Sequence, residues 1–211
     1  MNHPRRRATL TCLAAGLLTA ALPAVSAAAY PDKPIRLVVP FPPGQGADIL
    51  ARLIGQHLAA ALGQPIVVEN KVGAGGIIGT AFAAKAAPDG YTLYMGSSGP
   101  LAIGPHVYKA VGFDTLKDFA PISNIASVTQ VLVTAPASQL ASAKDVVERA
   151  RAQPGMVPFG SAGSGTTSHL TMELFTQMSG ISLSHVPYKG SSTSMIDVMA
   201  GRVPLMFDSL P

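Results

Sequence analysis

The sequence predicts an α/β protein made of two runs of alternating strands and helices. Three observations carry that prediction. Short apolar stretches of strand length alternate with longer ones whose apolar residues recur at helical spacing. In the first hundred residues a glycine-rich loop follows each apolar stretch. A second series of the same alternation begins near residue 142 and runs almost to residue 211. Strands buried on both faces read as continuous apolar runs, so open, mainly parallel sheets covered by helices are expected.

Residues 1–29 stand apart from both runs. Arg5, Arg6 and Arg7 precede an apolar run from Ala8 to Leu22, and Pro23 and small residues up to Ala29 follow. This is the order of a secretory signal peptide, with cleavage expected after Ala27 or Ala29. The apolar run is too short to span a bilayer comfortably. Arg6-Arg7 lack the rest of a twin-arginine pattern, and no small residue precedes Cys12 as a lipobox requires. Without the leader, 182 residues remain, with twelve Lys and Arg against eleven Asp and Glu. The formal charge falls from +4 to about +1 and the single Cys is lost. Nucleic acid is therefore excluded as a partner, and a disulfide scaffold or multi-cysteine metal site is excluded too. A composition of 48% hydrophobic and 12% charged residues also excludes a disordered tail or a coiled coil.

In the mature chain, residues 35–41 read as a buried strand and Pro42 to Gly46 as a turn. Asp48 is placed to cap a helix whose apolar side holds Ile49, Leu50, Leu53, Ile54, Leu58 and Leu62, and Gly63 ends it. Residues 65–68 form a second strand, followed by the loop Asn70 to Gly76 and a small-residue helix over 77–87. Pro88-Asp89-Gly90 turns the chain into a third strand, 91–95, ending at Gly96-Ser97-Ser98-Gly99. Residues 119–128 and 130–135 read as extended and suit a crossing between two lobes. The second run has helices over 142–152, 169–178 and 191–200 and strands over 157–160, 183–186 and 203–207. Ser142 is expected as the cap of the first of these helices. Asp208-Ser209 follow the last strand. The sequence shows no repeat, but the architecture repeats. The division expected is a leader at 1–29, a first lobe at 30–128 and a second at 129–211. Pro211 comes directly after the last strand, so that lobe is expected to be cut short.

Ligands of open α/β sheets bind at the carboxyl ends of the strands, where the glycine loops lie. Glycine lets backbone amides approach a ligand, and a helix start adds unsatisfied N–H donors, a combination that favours anions. No dense Lys/Arg cluster accompanies these loops, which suits a small carboxylate better than a polyphosphate. Ile78 stands where a dinucleotide fingerprint needs its third glycine, and no phosphate-binding loop motif occurs. Ser161 and Ser164 lie in glycine-rich sequence, but neither is the serine of a nucleophile elbow. The histidines have no metal-ligand spacing, and no cofactor is expected. His169, at a helix start, reads equally as a ligand contact or a structural residue. Lys189 reads equally as a partner for a ligand carboxylate or a solvated loop lysine. Asp208 reads as an acceptor in the cleft or as the cap of a following helix.

The loop residues, in order, resemble the Bug family of extracytoplasmic solute receptors of tripartite tricarboxylate transporters. The matching stretches are Pro40-Phe41-Pro42-Pro43-Gly44 with Asp48, Val68-Glu69-Asn70-Lys71, Gly73-Ala74-Gly75-Gly76 and Ala87-Pro88-Asp89-Gly90-Tyr91-Thr92-Leu93. They continue with Gly160-Ser161, Gly165-Thr166, Ser168-His169-Leu170, His185-Val186-Pro187-Tyr188-Lys189-Gly190 and Met206-Phe207-Asp208. The resemblance covers the whole mature chain. It implies a two-lobe, type II-like periplasmic binding protein with a ligand cleft between the lobes and no enzymatic activity. It also implies a small carboxylate as ligand, transporter membrane subunits as partner, the periplasm as location and a monomeric state. By the same resemblance, Phe41, Pro42, Gly44 and Asp48 on one loop and Gly73, Ala74, Gly75 and Gly76 on another would grip a carboxylate, partly through water. Ser97 and Ser98 would line the cleft. Ser161, Thr166, Thr167, Ser168, His169, Tyr188 and Asp208 would select the rest of the ligand. Gln45, Ala47, Val72 and Ile77 depart from the usual family residues, and Ala47 and Ile77 each remove a polar contact. Members of the family continue well past Asp208, so a C-terminally truncated member is expected. Other readings are a carboxylate sensor feeding a signalling receptor, a non-functional fragment and, last, a secreted serine hydrolase.

Overall fold

The computed structural model describes residues 29–210, so the expected leader, apart from Ala29, lies outside the described residues. The regular structure falls within one compact unit that begins at Lys33. Its first part contains β1 (Ile35–Val39), α1 (Gly46–Leu62), β2 (Ile66–Asn70), a 3-10 turn at Ala74–Gly76, α2 (Ile77–Ala84), β3 (Thr92–Tyr94) and the short α3 (Gly104–Val107). The second contains β4 (Thr129–Thr134), α4 (Ala143–Ala152), β5 (Pro158–Ser161), α5 (Thr167–Ser179), β6 (Ser184–Pro187), α6 (Ser191–Met199) and β7 (Leu205–Leu210). Among the described residues, no helix is long and apolar enough to cross a membrane.

The strands form two sheets, ordered β2-β1-β3 and β4-β7-β5-β6. In each sheet the first strand of a β-α-β-α-β run lies in the centre, the second on one side and the third on the other. β1 pairs in parallel with β2 and β3, and β5 in parallel with β6 and β7. Strand order therefore reverses direction at β1 and again at β5, creating a crevice at the carboxyl end of each sheet. One strand departs from an all-parallel expectation: β4 pairs antiparallel with β7, Thr134 opposite Leu205. Apolar alternation carries no strand direction, and an antiparallel edge strand is a common addition to a parallel sheet. Residues 120–128 form no strand and are exposed.

Packing follows the sequence pattern. Leu37, Val39, Phe41, Ala51 and Met95 build a core between the first sheet and α1. Val146, Val157, Phe159, Met172 and Leu205 build the main core of the second sheet. Ala135, Val198, Val203 and Met206 form a smaller cluster against α6. Gly79 shows why α2 is rich in small residues. A Cβ there would stand 2.5 Å from the Lys71 carbonyl oxygen and 2.8 Å from Pro40 Cα. α4 has the expected start: Ser142 accepts the Asp145 amide, and Asp145 accepts the Ser142 amide in return.

Two local expectations are corrected. Asp48 is not the cap of α1, because the helix begins at Gly46 and Gln45 holds the cap position with an extended backbone. Asp208 does not follow the last strand. It lies within β7, opposite Val131, because pairing with β4 carries the strand on to Leu210.

Candidate functional site

The carboxyl ends of the two sheets face each other across a cavity of about 270 Å3. Its walls come from the loops after β1 (Pro40, Phe41), β2 (Val72 to Gly76), β5 (Ala162 to Ser164) and β6 (Pro187 to Lys189), with Tyr108 beside them. Contact between the walls is close. A Cβ on Gly75 would lie 2.7 Å from the Ser164 carbonyl oxygen, and one on Gly190 would lie 2.5 Å from Pro42. Ser98 and Thr167 bridge the same junction, their hydroxyls 3.3 Å apart.

The loop after β2 turns through four successive residues at positive φ: Gly73, Ala74, Gly75 and Gly76. Glycine at three of these positions makes the turn affordable, and successive amides in such a turn form an anion-binding concavity. The loop after β1 is held by Asp48, which is only 2% exposed. Its carboxylate accepts the Gly44 amide at 2.9 Å and both Nε and Nη2 of Arg52 at 2.9 Å. Asn70 Nδ2 donates to the Phe41 carbonyl and to Asp48, each at 2.9 Å, and so ties the end of β2 to the loop after β1. Burial alone would raise the Asp48 carboxyl, but Arg52, the Gly44 amide and Asn70 outweigh it and hold it below its ordinary value.

The loop after β5 satisfies itself. Ser161 Oγ accepts the Gly163 amide, Ser168 Oγ the Ala162 amide and His169 Nδ1 the Gly165 amide. Thr166 Oγ1 donates to the Gly163 carbonyl at 2.6 Å, so the 3.1 Å contact with Ser168 has Ser168 as donor. His169 Nδ1 is therefore unprotonated, and Nε2 carries the proton towards Glu173 at 3.5 Å. His185 stacks on His169 with ring centroids 3.9 Å apart, and its Nε2 lies 2.6 Å from Ser161 Oγ. Burial, helped by His169, pushes His185 down to about 4. Burial also lowers His169, against the pull of Glu173.

The structure thus distributes the sequence-predicted residues in two groups. Phe41, Gly73, Ala74, Gly75, Gly76 and Tyr188 line the cavity. Pro42, Gly44, Asp48, Ser97, Ser98, Ser161, Thr166, Thr167, Ser168, His169 and Asp208 are not among the residues that line it. Ser161, Thr166 and Ser168 are buried in the loop's own network. Asp208 is half-buried, its carboxyl raised by burial and bonded to the Ser209 amide and the Ser191 side chain at the head of α6. Sequence reasoning left Arg52, Asn70, Tyr108 and His185 without a role. Tyr108 belongs to no loop motif, and the Ser161–His185 pair joins residues 24 apart in the chain. Among the described residues, no three His, Cys, Asp or Glu side chains group as metal ligands. A larger cavity of about 480 Å3 lies at the opposite end of the first sheet, between Lys33, Arg36, Phe82 and Lys85. It is remote from the loops at the carboxyl ends of the strands, which make the smaller cavity the candidate site.

Comparison with known proteins decides the family. Residues 50–211 match the TctC profile, described as the tripartite tricarboxylate transporter family receptor. The chain belongs to this TctC receptor family. It is 42% identical over 188 residues to protein BugT of Bordetella pertussis, covering 89% of this chain and 58% of BugT. Three solved structures share the fold. A periplasmic transporter is 42% identical, with TM-score 0.82, covering 87% of this chain and 61% of that one. The Rpa4515 protein of R. palustris, solved with adipate, is 38% identical, with TM-score 0.84 and coverage of 86% and 61%. MatC of Rhodopseudomonas palustris, solved with bound malate, is 28% identical, with TM-score 0.80 and coverage of 85% and 61%. The chain spans about three fifths of the length of these relatives. The family is one of receptors rather than enzymes.

Proposed function

We propose that this chain binds a small organic carboxylate in the periplasm and delivers it to the membrane subunits of a tripartite tricarboxylate transporter. The observation that carries the reading is the turn of four positive-φ residues at Gly73–Gly76, which forms one wall of a cavity the size of a small acid. Backbone amides at such a turn complement a carboxylate without a resident cation. The apolar faces of Phe41, Val72 and Pro187 fit the carbon chain between polar ends. Adipate and malate in two solved relatives support the ligand class. The two sheets correspond, in this reading, to lobes at 30–128 and 129–211 that meet around the ligand. The basic and apolar leader sequence supports export, and a monomer suffices, since both walls come from one chain.

The test is calorimetric titration of the chain with mono-, di- and tricarboxylic acids, with the corresponding amides as uncharged controls. At least one acid is expected to bind saturably at one site while its amide does not. Absence of binding by every acid removes the proposal. Co-purification with transporter membrane subunits, against a sensor ectodomain as competitor, tests the partner.

A further inference from the structure

The peptide group between Ser164 and Gly165 is held at both of its edges. Its carbonyl accepts the Tyr108 hydroxyl at 2.8 Å, and its N–H donates to His169 Nδ1 at 3.2 Å. Tyr108 directly follows α3 in the first run of elements, whereas His169 lies in the first turn of α5 in the second. One peptide group therefore joins the two runs in the wall of the cavity, which Tyr108 and Ser164 both line. A Cβ on Gly165 would stand 3.3 Å from Tyr108 Cε2, and one on Gly75 would stand 3.2 Å from the Tyr108 hydroxyl oxygen. Gly165 has φ +73, and glycine occupies either sign of φ at little cost. The peptide plane is thus free to turn once one of its two bonds is withdrawn.

His169 can withdraw its bond. Nδ1 accepts only while it carries no proton, and an imidazolium is a donor at both nitrogens. A protonated Nδ1 would face the Gly165 N–H donor to donor. Among the described residues, two titratable groups face this ring. Glu173 of the same helix lies 3.5 Å from Nε2, and His185 of β6 stacks on it with centroids 3.9 Å apart. Phe159 of β5 adds a neutral ring at 6.3 Å. Burial outweighs Glu173 and lowers His169 below its ordinary 6.5, so the ring is neutral at pH 7 and takes its proton in acid.

We propose that the Ser164–Gly165 peptide group is a latch across the cavity, with Tyr108 and His169 as its positioning residues, and that protonation of His169 Nδ1 releases it. The latch acts whether or not a carboxylate is the ligand. The test is NMR of the ligand-free full chain between pH 7.5 and pH 4.5. The nuclear Overhauser contact between the Tyr108 ring and the Gly165 α-protons should be present at pH 7.5. It should fade with the midpoint of the His169 imidazole, which should lie below 6.5. His169→Asn keeps an acceptor near the Nδ1 position without a titrating group, so there the contact should persist to pH 4.5. Tyr108→Phe weakens the closed latch, which only the neutral ring supports. It should therefore raise the His169 midpoint by a few tenths of a pH unit to about one, the span of a single hydrogen bond. A His169 ring that stays neutral throughout the range overturns the inference, as does a contact that survives its protonation. So does a contact that fades in His169→Asn as it does in the wild type, or a His169 midpoint that Tyr108→Phe leaves unmoved.

Discussion

Asp48 connects the sequence to the site at the scale of single residues. The sequence marks it as a helix cap, a role that a carboxylate near a helix start often fills. The structure instead buries it beneath the loop after β1, where Arg52, Asn70 and Gly44 converge on it. Only tertiary contact brings Asn70 to Asp48, so no local pattern reveals the network. Asp48→Asn should cost about 1–3 kcal/mol at pH 7, since it unpairs partly buried donors. The folded-state carboxyl titrates below its ordinary 3.8. Its contribution is therefore complete above 3.8 and is lost as pH falls through the lower folded-state value. Urea unfolding at pH 7 and pH 3 should show the wild-type advantage shrinking in acid. His185 has the same sign. Its folded value of about 4 lies below the ordinary 6.5, so its contribution is complete above 6.5 and drains away as pH falls to about 4. Its imidazole resonances should stay at their neutral positions at pH 5.5, and a titration midpoint near 6.5 would contradict the burial account.

At the scale of elements, periodicity located the strands and every helix but the short α3, and tertiary contact set their ends. α2 stops at Ala84 rather than near residue 87, and β7 runs on to Leu210 because β4 pairs with it. The β4 direction was illegible, since the apolar pattern of Thr129–Thr134 reads the same either way. Capping was legible: Ser142 and Asp145 form the reciprocal pair that their spacing suggests. Ser142→Ala should destabilise the chain by about 1 kcal/mol, read as a lower urea midpoint at unchanged slope. Gly79→Ala should cost about 1–3 kcal/mol despite alanine's better helix propensity, because its methyl would press on Lys71 and Pro40. A gain in stability would show that α2 can move away from the sheet.

At the scale of the whole molecule, two sheets of like topology place four loops around one cavity. The sequence made the glycine loops legible as a set, and their order carried the family. It could not show which hydroxyls are taken up by the loop's own hydrogen bonds. Ser161, Thr166 and Ser168 read as polar loop residues in one dimension, and in three their hydroxyls bond their own loop. The central claim is that a small carboxylate sits against the Gly73–Gly76 turn. The direct measurement is amide chemical-shift mapping of the chain during titration with a small dicarboxylate. Saturable shifts are expected at Gly73 to Gly75, with smaller changes at Gly76, Ala162, Gly163 and Gly165, whose amides are already bonded. No saturable shift, or shifts confined to the groove between Lys33, Phe82 and Lys85, would contradict it.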